Sequence, residues 1–440
     1  MRIGYCSPFN PIKSGISDFS EELVFALAKY MEVIVFAPVM PSKKEILDSF
    51  EVHKLSELDN ADLRKSLDQI VYHIGNNEKY HGEIVDMLEK YPGIVELHEI
   101  GLHHLAAARI LEKKGKDAYL QMVSYCHGAR GVKIAQDFFY GIAGAPWNDH
   151  ALDMCMARPY IEQATGVIAH TEMVKQMALG IRKDVPIVNI NLHAIDIIDD
   201  PGKFQIKCRE TLGLPLDQCI IGSFGFATSA KRIIPTLNAL ERIKKHNNSF
   251  LYVLVGQVEK NINIRHELTD RGLDKNVLVT GFTSLDEFKL YMGACDFCLN
   301  LRYPTQGESS GSLHRMFGMG KTAIVTDVGT FSDYPDDVVL KVRYDDHEVD
   351  DIYNAVMALV KKKKELKMRS EAALKYAKKH CDINKNAELY TYFFEQVKNG
   401  TWQPEYEDTV IAELCELGLT NDDYTRDLYQ KISYDFANKS

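Results

Sequence analysis

The chain has 440 residues, 45% hydrophobic and 26% charged, with 52 Lys and Arg against 62 Asp and Glu and a formal net charge of -10. That length allows two or three domains, each able to bury a core; the ordinary apolar share excludes a largely disordered chain, and the acidic balance argues against nucleic acid as a partner. No charged stretch followed by a long apolar run opens the chain and no run of 18 apolar residues occurs, so a cytoplasmic location is expected, with peripheral membrane contact left open.

In chain order, residues 2–6 read as a first strand, 7–14 as a loop rich in Pro, Ser and Asn, 17–30 as a helix and 33–37 as a second strand, an opening βαβ unit. Strands are expected at 69–74, 93–97 and 166–169, and helices at 83–90, 102–114 and 160–164. The stretch 191–214 has little apolar periodicity and contains Asp199-Asp200-Pro201-Gly202, so it is read as part of a linker. A second βα series has strands at 219–224, 251–255, 277–280, 297–301, 322–326 and 338–342, followed by helices at 385–397 and 409–417. The expected organisation is an N-terminal Rossmann-like domain over 1–190 for the acceptor, a linker over 191–217, a C-terminal Rossmann-like domain over 218–380 for the donor nucleotide, and helices over 381–440 that return to the first domain. Strands alternating with helices in this way define an α/β protein, and two Rossmann-like domains facing each other would place a ligand cleft at the carboxyl ends of their strands.

The nine cysteines are scattered, and Cys295 with Cys298 forms a lone CxxC in the strand-like DFCLNL, with no second pair at zinc spacing; buried thiols in a reducing compartment are expected. A basic run, Lys361 to Lys364, reads as a solvated helix face, with an anionic membrane or lipid-linked acceptor as the alternative.

The densest chemistry lies in DFCLNLRYPTQGESSGSLHRMFGMGKTAIVT, residues 296–326. A strand there runs into an irregular loop and then a helix opening at 308–312. Ser309, Ser310, Gly311 and Ser312 would offer backbone N–H groups to an anion at the positive end of that helix, and Gly311 lets a ligand approach the backbone. Glu308 at its mouth is suited to accept hydrogen bonds from sugar hydroxyls, although Glu308 and Ser309 could equally serve as helix caps. No Asp-x-Asp triplet occurs, and the histidines are dispersed without a carboxylate partner at ligand spacing, so no metal or other cofactor is expected.

RYPTQGESSG followed by a short helix, GKTAIVTDVGTF and Pro335 resembles the donor-site signature of family 4 glycosyltransferases. YCSPFNPIKSGISDFSEEL, HIGNNEKYH, ELHEIGLHH, GVIAHTEMV, LVGQ and VTGF extend the resemblance over about residues 1–345. It implies a GT-B fold, a nucleotide-sugar co-substrate (a UDP- or GDP-sugar) and transfer with retention to a carbohydrate, lipid-linked or other hydroxyl acceptor. By the same resemblance Gly15 matches a loop that approaches the donor phosphates, and Lys231 matches the basic residue at the diphosphate. Arg232 stands where many members have glycine, which leaves open which of the two cations reaches phosphate. Gly281 and Phe282 match the loop against the nucleobase, with a core role for Phe282 as the alternative. Glu308 matches the first glutamate of a Glu-x7-Glu pair and His98 the active-site histidine. Asn76, Asn77, His81 and His127 are candidates for acceptor hydroxyls. The second glutamate is absent: Met316 holds its place, with Leu313 and Phe317 at helical spacing, and reads as core. Two other functions share this architecture, a donor-binding subunit without activity of its own and a nucleotide-sugar epimerase. The expected closure of the two domains on a bound donor belongs to the same reading.

Overall fold

The computed structural model describes residues 1–194, 196–246 and 249–404. The chain divides into two compact units. Unit 1 holds Met1–Asn191, Gln306–Ser309 and the described residues from Ala387 on; unit 2 holds Leu192–Thr305 and Ser310–Asn386.

Unit 1 is built on seven parallel strands: β1 (Arg2–Cys6), β2 (Glu32–Ala37), β3 (Glu51–Lys54), β4 (Gln69–Ile74), β5 (Ile94–Leu97), β6 (Gly166–Ala169) and β7 (Ile187–Asn189), ordered β3-β2-β1-β4-β5-β6-β7. The central strands are buried on both faces and so are almost uninterrupted apolar runs, as in IVYHI and GVIA. β3 and β7 are not among the strands expected from sequence. They sit at the sheet edges, and β3, EVHK, has no fully buried residue to give it an apolar signature. Residues 116–139, for which no element is expected, form a helix (Lys116–Phe139) kinked at Gly128, where φ is 60°. It buries only Tyr119, Val123, Gly131 and Ala135, too sparse a stripe to read as amphipathic.

Unit 2 repeats the plan with six parallel strands: β8 (Cys219–Phe224), β9 (Phe250–Val255), β10 (Val277–Gly281), β11 (Phe297–Asn300), β12 (Ala323–Thr326) and β13 (Val339–Val342), ordered β10-β9-β8-β11-β12-β13. In each unit the order reverses beside the unit's first strand, between β1 and β4 and between β8 and β11. Open α/β sheets bind ligands at this switch point.

The stretch read as linker departs from expectation. Within it Asp200 accepts from the Lys203 N–H, Pro201 takes the first helical position and Gly213 closes a helix, Pro201–Leu212, at φ 63°. The Asp-Pro pair is thus an N-cap and N1, and the glycine a C-terminal stop. The apolar rhythm is missing because Cys208 and Arg209 are the buried residues, and Arg209 bonds the Ala294 carbonyl at 2.9 Å and Asp296 at 2.9 Å.

The helix expected at 385–397 is Ile383–Asn399; the one expected at 409–417 lies outside the described residues. The eight described cysteines are free thiols, six of them buried, with Cys298 in β11 and Cys295 just before it. Residues 361–364 are exposed, where helix Glu348–Lys361 gives way to helix Lys363–His380. No helix among the described residues is long and apolar enough to cross a membrane.

Candidate active site

In unit 2 the switch-point loop after β8 carries Lys231 and Arg232. Gly225 holds φ 93°, and a Cβ there would stand 2.5 Å from Lys231 Nζ; the glycine makes room for the lysine side chain to fold back and donate to the Phe224 carbonyl at the strand end. Arg232, at φ 55°, is committed elsewhere: its fork donates to Glu348 through Nε at 2.8 Å and Nη2 at 2.6 Å, and its guanidinium lies 4.7 Å from the centre of the Tyr344 ring. The bond to Glu348 raises the Arg232 pKa further. A phosphate-binding role for Arg232 would have to break a bidentate pair with a buried carboxylate, so the two adjacent cations are chemically distinct.

On the other side of the switch point, β11 ends at Asn300 and a helix, Gly311–Gly318, begins. Ser310 caps it, accepting from the Leu313 N–H at 3.3 Å and donating to Asn300 Oδ1 at 3.2 Å. The helix start thus falls within the expected 308–312 opening. Glu308 and Ser309 precede the cap residue and are not its caps. Met316 is fully buried among Leu313, Phe317 and Phe331, the core position its spacing indicated. Gly281 ends β10 at φ 71° with open space where a Cβ would stand, and Phe282 beside it is 62% exposed, which removes the core alternative for that ring.

The segment Gln306–Ser309 packs with unit 1. The Gly101 N–H donates to the Gln306 carbonyl at 2.7 Å. Gly307 has φ 71°, and a Cβ there would meet Ile100 at 2.5 Å, so only glycine fits. The Glu308 carboxylate accepts from the Gln306 N–H at 2.7 Å, and the Ser309 hydroxyl is buried without a hydrogen-bond partner.

Unit 1 also gathers a set of side chains that lie far apart in the sequence. His73 in β4 pairs in register with Glu96 in β5; His98 follows β5 and His170 follows β6. His73 Nδ1 lies 3.1 Å from His98 Nε2, and His73 Nε2 lies 3.5 Å from Glu96 Oε2. Glu96 Oε1 accepts from the Tyr390 hydroxyl at 2.8 Å and stands 3.2 Å from His170 Nε2. All five are buried, with His98 the most exposed at 8%. Burial pushes the Glu96 carboxyl up, but the His73 and His170 imidazoles and the Tyr390 hydroxyl outweigh it and hold the group below its ordinary range. Burial drives His73 down to about 4, so it is neutral near pH 7.

The expectation of dispersed histidines without a carboxylate is thus overturned. Neighbouring parallel strands bring together residues some 25 positions apart. His73, Glu96 and His98 place one potential ligand atom each within 4.8 Å, the one such group among the described residues. The signal was present as a polar residue near the end of each apolar strand: YHI, VELH and VIAH.

Gly15 opens helix Gly15–Leu27 after β1, with Ser14 as its cap and open space where a Cβ would stand. The four residues expected at acceptor hydroxyls are engaged within the fold. Asn76 donates to Gln306 at 3.4 Å and accepts from the Leu105 N–H at 3.0 Å; Asn77 caps helix Glu78–Lys90, accepting from the Lys79 N–H. His81 is buried with Nδ1 donating to the His73 carbonyl at 3.0 Å, and His127 Nε2 accepts from the Met156 N–H at 3.2 Å. Asn76, Asn77 and His81 follow the end of β4, where polar residues serve the turn and the next helix as readily as a ligand, and His127 lies within helix Lys116–Phe139.

This pair of parallel sheets is the GT-B fold of glycosyltransferases. Sucrose-phosphate synthase from Thermosynechococcus elongatus superposes with a TM-score of 0.65 at 14% identity, over 91% of this chain and all of that one. The Anabaena protein HepE in complex with UDP-glucose gives 0.61 at 14% identity, over 90% of this chain and all of that one. WaaG, a glycosyltransferase involved in lipopolysaccharide biosynthesis, gives 0.56 at 14% identity, over 89% and 99%. Residues 205–376, most of unit 2, match the family model described as glycosyl transferases group 1. No curated protein matches the chain by sequence.

Proposed function

We propose that the protein is a retaining glycosyltransferase of the family 4 type, moving a sugar from a nucleoside-diphosphate donor to a hydroxyl acceptor without a metal ion. The observation that carries this reading is the coincidence of the glycosyltransferase group 1 match over 205–376 with a lysine and a serine-capped helix start flanking the switch point of the same sheet. Lys231 and the first turn of helix Gly311–Gly318 bind the diphosphate. As the anomeric C–O bond breaks, negative charge grows on the departing phosphate oxygen, where an ammonium and a helix N-terminus stabilise it. The acceptor oxygen forms the new bond at the anomeric carbon, and its proton leaves with the nucleotide or to solvent. Glu308 holds hydroxyls of the transferred sugar, and the unpartnered Ser309 hydroxyl offers a further hydrogen bond to the donor. His98 acts at the transferred sugar or the acceptor hydroxyl, and exposed Phe282 packs on the base.

HepE was crystallised with UDP-glucose, which makes UDP-sugars the first donors to test, ahead of GDP-sugars. The acceptor is a carbohydrate or a lipid-linked glycan. A second reading, a donor-binding subunit without turnover, draws on one fact: Met316, in place of the second glutamate, is sealed in the core and offers the ribose no carboxylate. Product analysis on the purified protein separates the readings. Transfer to an acceptor supports the proposal, a free altered sugar indicates an epimerase, and binding without turnover indicates the subunit.

A further inference from the structure

We infer that the outer face of helix Lys363–His380, in unit 2, is a docking surface for an anionic phospholipid membrane. The inference stands on the distribution of surface charge and does not need the sugar-transfer reading to hold.

Residues 361–379 hold nine Lys and Arg against two Glu, in a chain whose net charge is -10. The helix sorts them. At about 100° per residue, Lys364, Lys367, Met368, Lys375, Lys378 and Lys379 fall on one face, with Glu371 the single acid among them, and all are exposed. The inward side carries Ala373 and Ala377, both sealed in the core of unit 2. The basic face runs along roughly 22 Å of helix axis.

A solvated helix face ordinarily mixes both signs, so that residues three or four apart attract. Here most such neighbours repel: Lys363 with Lys367, Lys364 with Lys367, and Lys375 with both Lys378 and Lys379. Glu371 pairs with Lys367 at 3.8 Å and Asp199 lies 3.9 Å from Lys378. Lys364, Lys375 and Lys379 pair with no carboxylate among the described residues. A negative surface relieves that repulsion, and each lysine brought close to it adds to the attraction.

Two observations favour a membrane over a nucleic acid. Arg369, the side chain suited to grip a phosphate through two bonds, is turned away from the basic face, donating to the Val339 carbonyl at 3.1 Å and to Glu365 at 3.2 Å. Met368 stands among the outward lysines at 60% exposure, an apolar side chain placed where headgroups give way to acyl chains. The acidic balance of the whole chain adds orientation, since a negative surface attracts this face and repels the rest.

The test is co-sedimentation of the full chain with vesicles of phosphatidylcholine alone or of phosphatidylcholine mixed with phosphatidylglycerol. The chain should pellet with the mixed vesicles and not with the neutral ones, and about 0.5 M salt should release it by screening. Lys364→Glu, Lys367→Glu, Lys375→Glu and Lys378→Glu together should lower binding at least about tenfold while the melting temperature stays near the parent's. Changing the same four lysines to Gln keeps the test open if the reversed variant does not fold. Met368→Ser alone should weaken binding about twofold. A parent that ignores the mixed vesicles, including one that binds duplex DNA instead, overturns the inference. So does equal binding by the parent and the folded variant, or equal binding to neutral vesicles. If the chain binds mixed vesicles through these lysines but transfers no donor, the glycosyltransferase reading fails while the docking surface stands.

Discussion

At the scale of single residues, the chain separates groups that look equivalent in sequence. Lys231 and Arg232 are adjacent cations, yet one folds back over a strand end and the other is locked to Glu348. Lys231→Ala should therefore abolish most of the thermal stabilisation that a nucleoside diphosphate gives, about 2.7 kcal/mol for a ligand at 100 times its dissociation constant. Unchanged stabilisation in thermal shift would remove Lys231 from the phosphate site. Glu308→Gln keeps shape and an acceptor oxygen but removes charge. Nucleoside-diphosphate affinity should stay within a few fold and turnover should drop at least about tenfold, roughly 1.4 kcal/mol of transition-state stabilisation. Transfer at the parent rate in steady-state assays would exclude Glu308 from contact with the sugar.

At the scale of elements, capping residues set where helices start and stop. Asp200, Pro201 and Gly213 are turn-forming residue types, but with a helix between them they are its start and stop signals. The helix begins at Gly311, within the expected 308–312 opening, and Ser310, not Glu308 or Ser309, accepts from the Leu313 N–H. Ser310→Ala removes that cap together with the bond to Asn300. It should cost about 1 kcal/mol and lower the melting temperature by a few degrees. A calorimetric scan matching the parent would mean that water or Ser312 replaces the cap.

For the whole molecule, the described histidines driven lowest all lie in unit 1: His73, His81 and His127 to about 4 and His103 to about 3, each chiefly through burial. Their folded values lie below the unfolded value of about 6.5, so the native state favours the neutral form. The stability this represents is complete above that value and is lost as pH falls toward 4. In unit 2, His380 is lowered too, but it is only half-buried. Acidification from pH 7 to 5 should therefore loosen unit 1 first, with amides of β4 to β6 losing hydrogen-exchange protection before those of β8 to β11. Equal loss in both sheets would contradict this. Metal independence is tested at the same scale: transfer should survive excess chelator, even though His73, Glu96 and His98 cluster. Loss of activity restored by manganese or magnesium would overturn the metal-free mechanism.

By itself the sequence determined the α/β class, the central strands and the segment that carries the glycosyltransferase signature. Strands buried on both faces must be apolar runs, and a glycine-serine turn into a helix is a local pattern that shows in a linear string. The core place of Met316 was legible for the same reason, from the spacing of Leu313 and Phe317. The edge strands β3 and β7 and helix Lys116–Phe139 were not, because half-exposed or kinked elements bury too little to leave a rhythm. Nor were the contacts of Asn76, Asn77 and His81 within the fold, since a polar residue after a strand looks the same whether it caps a turn or meets a ligand. Only the tertiary structure decided the group around Glu96. Parallel pairing sets residues far apart in the chain side by side, and the register that joins His73 to Glu96 exists only once the sheet has formed.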